Sequence, residues 1–159
     1  GWIINDNNFL QCSREHRLRV YAMLERQKRG AVFAGGIDAR LVDDEVAAEF
    51  RSIRTRELFL AADTAGSLGA LDRAVNRLHY LGRKKLRCYV LCGFDGETTE
   101  QAEQRLEACW QIGVLPFAQL YQPATGWIEY SQEWRALQRK WSRPAAMYAS
   151  HQATAATEP

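Results

Sequence analysis

Apolar residues fall along this chain in short runs that alternate with longer stretches of three-to-four-residue periodicity, and a glycine or polar cluster marks most changes. Trp2 to Ile4 reads as a short strand, closed by the turn-forming cluster Asn5-Asp6-Asn7-Asn8. Ser13 then caps a helix that turns Leu18, Tyr21, Ala22 and Leu24 inward and stops at Gly30. Ala31 to Ala34 is a second strand leading into Gly35-Gly36-Ile37-Asp38-Ala39-Arg40. Asp43 caps the next helix, with Val46, Ala47, Phe50 and Ile53 on its inner face. Leu58 to Ala62 is a third strand ending at Asp63-Thr64, and its helix carries Leu71, Ala74, Val75, Leu78 and Leu81 inward before Gly82.

The stretch from Arg87 to Thr98 states the scheme most clearly. Arg87 to Cys92 is too short and too rich in β-formers for a lone helix, Gly93 and Gly96 permit backbone angles closed to other residues, and Thr98 with Gln101 makes a capping box. The helix that follows buries Ala102, Leu106, Cys109 and Trp110 and stops at Gly113, and Val114 to Leu120 is a fifth strand. Strand centres near Ile3, Val32, Phe59, Tyr89 and Phe117 recur at intervals of about 27 to 30 residues, the length of a strand-helix repeat with parallel strands. The predicted fold is α/β, with repeated strand-helix units on a parallel sheet. Spacing alone leaves strand order open, so a doubly wound sheet stands beside a barrel-like one. Ser131 starts a last helix with Trp134, Leu137 and Trp141 on one stripe, ended by Arg143-Pro144. Residues 145–159, rich in Ala, Thr and Ser without apolar period, read as a disordered tail after a domain of residues 1–144.

Composition narrows the picture. The chain has 159 residues, 47% hydrophobic and 25% charged, the proportions of one globular domain. A net charge of +2 makes no strong claim for nucleic acid or an anionic membrane, and no apolar run is long enough to span a bilayer, so the cytoplasm is the expected compartment. The chain opens on strand-like residues without a Met, as a fragment beginning inside a larger domain would. Cys12, Cys88, Cys92 and Cys109 show no disulfide pattern. Cys88 and Cys92 have Cys-x3-Cys spacing, but on a strand they lie about 13 Å apart at roughly 3.3 Å per residue, too far to share one cluster. They and Cys109 are expected as core thiols. His16, His79 and His151 are scattered without metal spacing. Arg135, Arg139 and Lys140 on the last helix read as a solvated face before a nucleic-acid patch.

One parallel sheet would bring the turns after its strands to a common edge, where such folds place ligands. Asp6-Asn7-Asn8, Asp38 with Arg40, Asp63-Thr64, Gly93 with Asp95, and Tyr121-Gln122 would then share a rim suited to a ligand with hydroxyls, a carboxylate and an amine. Acids and glycines in these places also cap helices and make turns, the simpler reading for Asp43 and Asp95.

These residues carry a resemblance. Gly93-Phe94-Asp95-Gly96-Glu97-Thr98 and its helix are similar to the Gly-x-Pro-Gly-Glu-Thr signature after the sixth strand of the radical S-adenosylmethionine (radical SAM) core, with Asp95 in place of the proline. Asp38-x-Arg40 resembles the fourth-strand acid and base that hold the ribose and amino-acid part of S-adenosylmethionine. Asp63 falls where the fifth strand offers a polar residue to the same cofactor, and Asp6-Asn7-Asn8-Phe9 resembles an Asp-Asp-x-Phe segment after strand three. The resemblance covers Trp2 to about Pro123 and implies part of a partial (β/α)6 TIM-like barrel. It implies a cofactor rim of Asp38, Arg40, Asp63, Cys92 and Gly93, with Asp6, Asn7 and Asn8 toward a substrate.

The family's Cys-x3-Cys-x2-Cys loop, which holds a [4Fe-4S] cluster, is not in this sequence, nor is its second-strand Gly-Gly-Glu motif, which Gly35-Gly36 matches only in its glycines. The resemblance therefore implies part of an iron-sulfur enzyme that, when intact, cleaves S-adenosylmethionine to a 5'-deoxyadenosyl radical acting on an unidentified substrate. The chain's own residues supply no cluster ligand and no catalytic group. The alternative is a non-catalytic α/β module that binds a nucleotide or a protein.

Overall fold

The computed structural model describes residues 1–6 and 9–155, with side chains as far as Gln152. Five strands, β1 (Ile3–Ile4), β2 (Ala31–Ile37), β3 (Thr55–Ala61), β4 (Leu86–Cys92) and β5 (Leu115–Leu120), form one sheet in the order of the chain. Every neighbouring pair is parallel, with Ile4 beside Phe33, Leu58 beside Leu86 and Tyr89 beside Phe117. A doubly wound sheet reverses direction at a switch point, and this one never does. Right-handed crossovers that always advance the same way lay the helices on one face, as in a barrel opened along its length.

The helices are α1 (Arg14–Glu25), α2 (Asp44–Arg51), α3 (Leu68–Arg77), α4 (Thr99–Ile112), α5 (Gln132–Ser142) and α6 (Pro144–Ala155). Ser13, Asp43, Thr98 and Ser131 cap α1, α2, α4 and α5 by accepting a backbone N–H from the first turn, and Thr98 and Gln101 complete the expected box. Between sheet and helices lies a dry layer: Phe33, Leu58, Leu60, Cys88, Val90 and Cys92 from alternate strand positions are fully buried. Phe9, Tyr21, Phe33 and Phe50 interlock there, with ring centroids 5.0 to 5.9 Å apart. The three buried cysteines are free thiols in this layer.

The structure departs from the periodicity in three places. Gly35 and Gly36, expected to follow the second strand, lie inside β2, where the register to β3 shifts between Phe33 and Ile37. Gly36 has φ +84°, and the Tyr89 ring packs 3.4 Å from where a Cβ would stand while its hydroxyl donates to the Ala34 carbonyl at 3.0 Å. The glycine lets an aromatic ring from β4, two strands away, reach across β3 and close over β2. In α1, Leu18 and Ala22 face solvent, and Arg17 takes the buried stripe with Tyr21 and Leu24. The Arg17 guanidinium is compensated by Glu49 of α2, at 3.0 and 3.1 Å, so burial costs less than its charge alone suggests. Finally, part of the expected disordered tail is α6. Met147 is fully buried, and His151 stacks on Trp110 of α4 at 4.0 Å while facing both Glu107 oxygens at 3.0 and 3.1 Å. Tertiary partners stabilise a helix whose own sequence has no apolar period.

No helix among the described residues is long and apolar enough to cross a membrane.

Candidate functional site

The strand order puts the ends of β2, β3 and β4 side by side. Asp38 follows β2 and caps a single turn (Ala39–Leu41) by accepting the Arg40 N–H at 3.0 Å. The Arg40 guanidinium folds back on the same carboxylate, with Nη2 2.7 Å from Oδ2 and Nε 3.0 Å from Oδ1. Those hydrogen bonds from Arg40 outweigh partial burial and hold the Asp38 carboxyl below its ordinary range. The two expected cofactor contacts are therefore each other's partners, with Arg40 largely in solvent.

Between β3 and β4 the edge is built differently. The Asp63 Oδ1 accepts the Leu91 N–H at 3.3 Å, joining the two strand ends. Arg105, buried on α4, threads its guanidinium between them: Nη1 donates to the Asp63 carbonyl at 3.0 Å and Nη2 to the Leu91 carbonyl at 2.9 Å, and Nη2 also pairs with Glu97. The other Glu97 oxygen accepts the Gly93 N–H at 2.9 Å. Gly93 has φ +76°, and a Cβ there would stand 2.8 Å from the Tyr130 ring, so only glycine fits. The Tyr130 hydroxyl donates to the Tyr121 carbonyl at 2.8 Å and also reaches the Gly93 carbonyl at 3.3 Å, binding the turn to the loop before α5.

Asp95 lies at φ +54°. Proline cannot leave φ near −65°, so this turn has a different backbone from the signature it resembles, and an Asp tolerates the left-handed angle. Cys92 faces the dry layer; burial pushes its thiol up to about 12, and its carbonyl accepts the Tyr121 N–H at 2.9 Å. Its contribution to the rim is thus spent inside the fold. Asp6 is exposed after β1, whereas Asn7 and Asn8 lie outside the described residues.

A cavity of about 660 Å³ opens between the β3 and β4 turns, lined by Asp63, Thr64, Leu68, Phe94, Asp95 and Gln104 among others. Phe94 stands 53% exposed at its mouth, packed edge-to-face on Tyr121 with ring centroids 4.9 Å apart. Arg105 also borders the cavity, but its donors are already engaged, so Asp63 and Asp95 set the local charge. The space suits a ligand with a cationic or amine group, hydroxyls and a flat apolar part.

The inner face of the sheet carries a further cluster. Phe59 and Tyr89 stack at 4.6 Å, Phe117 meets Tyr89 edge-on at 5.7 Å, and the Arg87 guanidinium lies 5.3 and 5.7 Å from Phe59 and Phe117. Glu57 is 3.9 Å from Arg87, whose buried Nε has no hydrogen-bond partner among the described residues. Burial lowers the Arg87 pKa, the cost of a cation held among rings.

Sequence reasoning passed over Arg105, Glu97 as its partner, Tyr130 and Arg87. Arg105 did leave a signal: it sits in the stripe Ala102, Arg105, Leu106, Cys109, Trp110, where a charge on the buried face demands a partner. Tyr130, distant along the chain, left none. Searched against models of protein families, against curated proteins and against solved structures, this chain has no match.

Proposed function

We propose that this chain forms the S-adenosylmethionine-facing part of a radical SAM barrel. One observation supports this above the others: the unbroken parallel order brings Asp38 with Arg40, Asp63 and the Gly93 turn to one edge, beside a cavity whose Asp63 and Asp95 carboxylates suit a sulfonium and an ammonium group. Asp63 keeps one carboxylate oxygen for a ribose hydroxyl or an amine, Phe94 offers a flat surface, and Asp38 would have to release Arg40 to take part.

The cysteines do not fit a cluster. Cys88, Cys92 and Cys109 are buried under helices, with the Cys88 thiol raised by its contact with Cys109 and by burial. Among the described residues no group of three or more His, Cys, Asp or Glu side chains could hold a metal ion. A [4Fe-4S] cluster, which supplies the electron that cleaves S-adenosylmethionine, would need ligands from elsewhere. This chain's part is to bind and orient.

Isothermal titration with S-adenosylhomocysteine, which needs no cluster, tests the reading. Saturable binding that weakens tenfold or more in Asp63→Asn is expected, together with a Cys-x3-Cys-x2-Cys motif in the coding frame upstream of Gly1. Equal affinity for ATP, with the same dependence on Asp63, would favour a nucleotide-binding module. No binding of either ligand would remove the cofactor assignment.

A further inference from the structure

The opposite edge of the sheet, where the strands begin, carries a cluster of cations that outnumber the carboxylates around them. The turn before β2 holds Arg26, Lys28 and Arg29; Arg54 and Arg56 flank the start of β3; Lys84 and Lys85 precede β4. Contacts show that these turns are neighbours. The Arg54 guanidinium donates to the Lys28 carbonyl at 2.9 Å, the Leu58 N–H donates to the Lys85 carbonyl at 2.8 Å, and Arg29 and Arg56 both lie over the Trp2 ring, at 5.2 and 6.0 Å. The carboxylates nearest in sequence to this edge are Glu25 and Glu57. Among the described residues Glu57 alone pairs with one of these cations, Arg56, at 4.0 Å.

Helix dipoles explain little of this. A cation in the last turn of a helix or at its cap is stabilised by the carbonyls there, which covers Arg26 after α1. Arg54 and Arg56 come after α2 has ended at Arg51, and Lys84 and Lys85 lie well beyond the end of α3 at Arg77. Packing like charges on three adjacent turns works against folding. A net charge of +2 conceals the arrangement, because acids elsewhere along the chain cancel it in the sum and not in space.

We propose that this edge binds the phosphate backbone of a nucleic acid. The four arginines among these seven cations suit bidentate phosphate recognition, and exposed side chains on three adjacent turns can follow a backbone without reading bases. The surface lies on the far side of the sheet from the cavity, so it holds a polyanion independently of any cofactor there. The inference does not rest on the radical SAM reading.

The test is fluorescence anisotropy with a labelled 20-nucleotide oligouridylate and the full chain. Contact with about four phosphates gives a salt slope near −3, so affinity should fall about 50-fold between 50 and 200 mM salt. Lys84→Glu/Lys85→Glu, at exposed positions, should abolish binding at 200 mM salt, and Lys28→Glu/Lys84→Glu should do the same. Arg135→Glu/Arg139→Glu on α5 should leave binding unchanged. The proposal is overturned if the turn variants bind as the wild type does, if the α5 variant is the one that loses binding, or if phosphatidylserine vesicles or polyglutamate bind more tightly than the RNA.

Discussion

The two edges of this sheet handle charge in opposite ways. At the edge where strands end, ionic groups are tied into the backbone: Arg105 bonds the carbonyls of Asp63 and Leu91, Glu97 holds the Gly93 N–H, and Asp63 holds the Leu91 N–H. At the edge where strands begin, Lys84 and Lys85 stand in solvent, and Arg54, itself exposed, donates to the Lys28 carbonyl. Charges of the first kind shape a rigid rim and are costly to remove. Charges of the second kind contribute to what the surface attracts and little to holding the fold.

That contrast can be broken in order of size. Arg105→Met should have the largest effect, because it leaves the half-buried Glu97 charge without its cation and takes a donor from two strand-end carbonyls; a loss of about 3 to 5 kcal/mol is expected by urea denaturation. Arg105→Lys should recover part of it, since charge is kept but the fork is lost. A loss under about 1 kcal/mol for Arg105→Met would mean that the rim is not held this way. Gly93→Ala comes next. The left-handed angle and the 2.8 Å approach to Tyr130 should together cost about 1 to 3 kcal/mol, and in a double-mutant cycle Tyr130→Ala should relieve the contact part while leaving the backbone part.

Lys84→Glu/Lys85→Glu should change stability by less than about 0.5 kcal/mol, in either direction, as expected for solvated charges. A substantial destabilisation would place these lysines among the structural charges and erase the contrast. The smallest effect belongs to Asp38. Its carboxyl is held below the ordinary range by Arg40, so its contribution is complete above that range and is lost as pH falls below it. Thermal melts between about pH 2 and 6 should show the gap between wild type and Asp38→Asn closing on the acid side and shrinking in salt.

Local rules were enough for much of the fold. Serine, aspartate and threonine at positions 13, 43 and 98 cap the helices that they were expected to cap, and alternation in Leu86–Cys92 separates a helix-facing side from an inner one. Those signals are legible because capping and pleating act within a few residues. The rim was half legible. Asp38, Arg40, Asp63 and Gly93 do lie on one edge, and the Cys92 thiol is in the core as expected, but Asp38 and Arg40 spend their charge on each other, and the Cys92 carbonyl is taken by the Tyr121 N–H. Nothing local says which way a strand-end side chain will point once a helix covers one face.

By itself, the sequence determined that strands and helices would alternate, where most of them would begin, and that polar turns would follow the strands, because these depend on neighbours a few positions apart. Tertiary structure alone decided the order of the strands, the threading of Arg105 between two of them, the closure of Tyr130 on Gly93, and the folding of α6 against Trp110. It also sorted a nearly neutral chain into an acid-lined cavity edge and a basic edge. Each of these joins residues distant in sequence, and such contacts form only when the whole chain closes around its core.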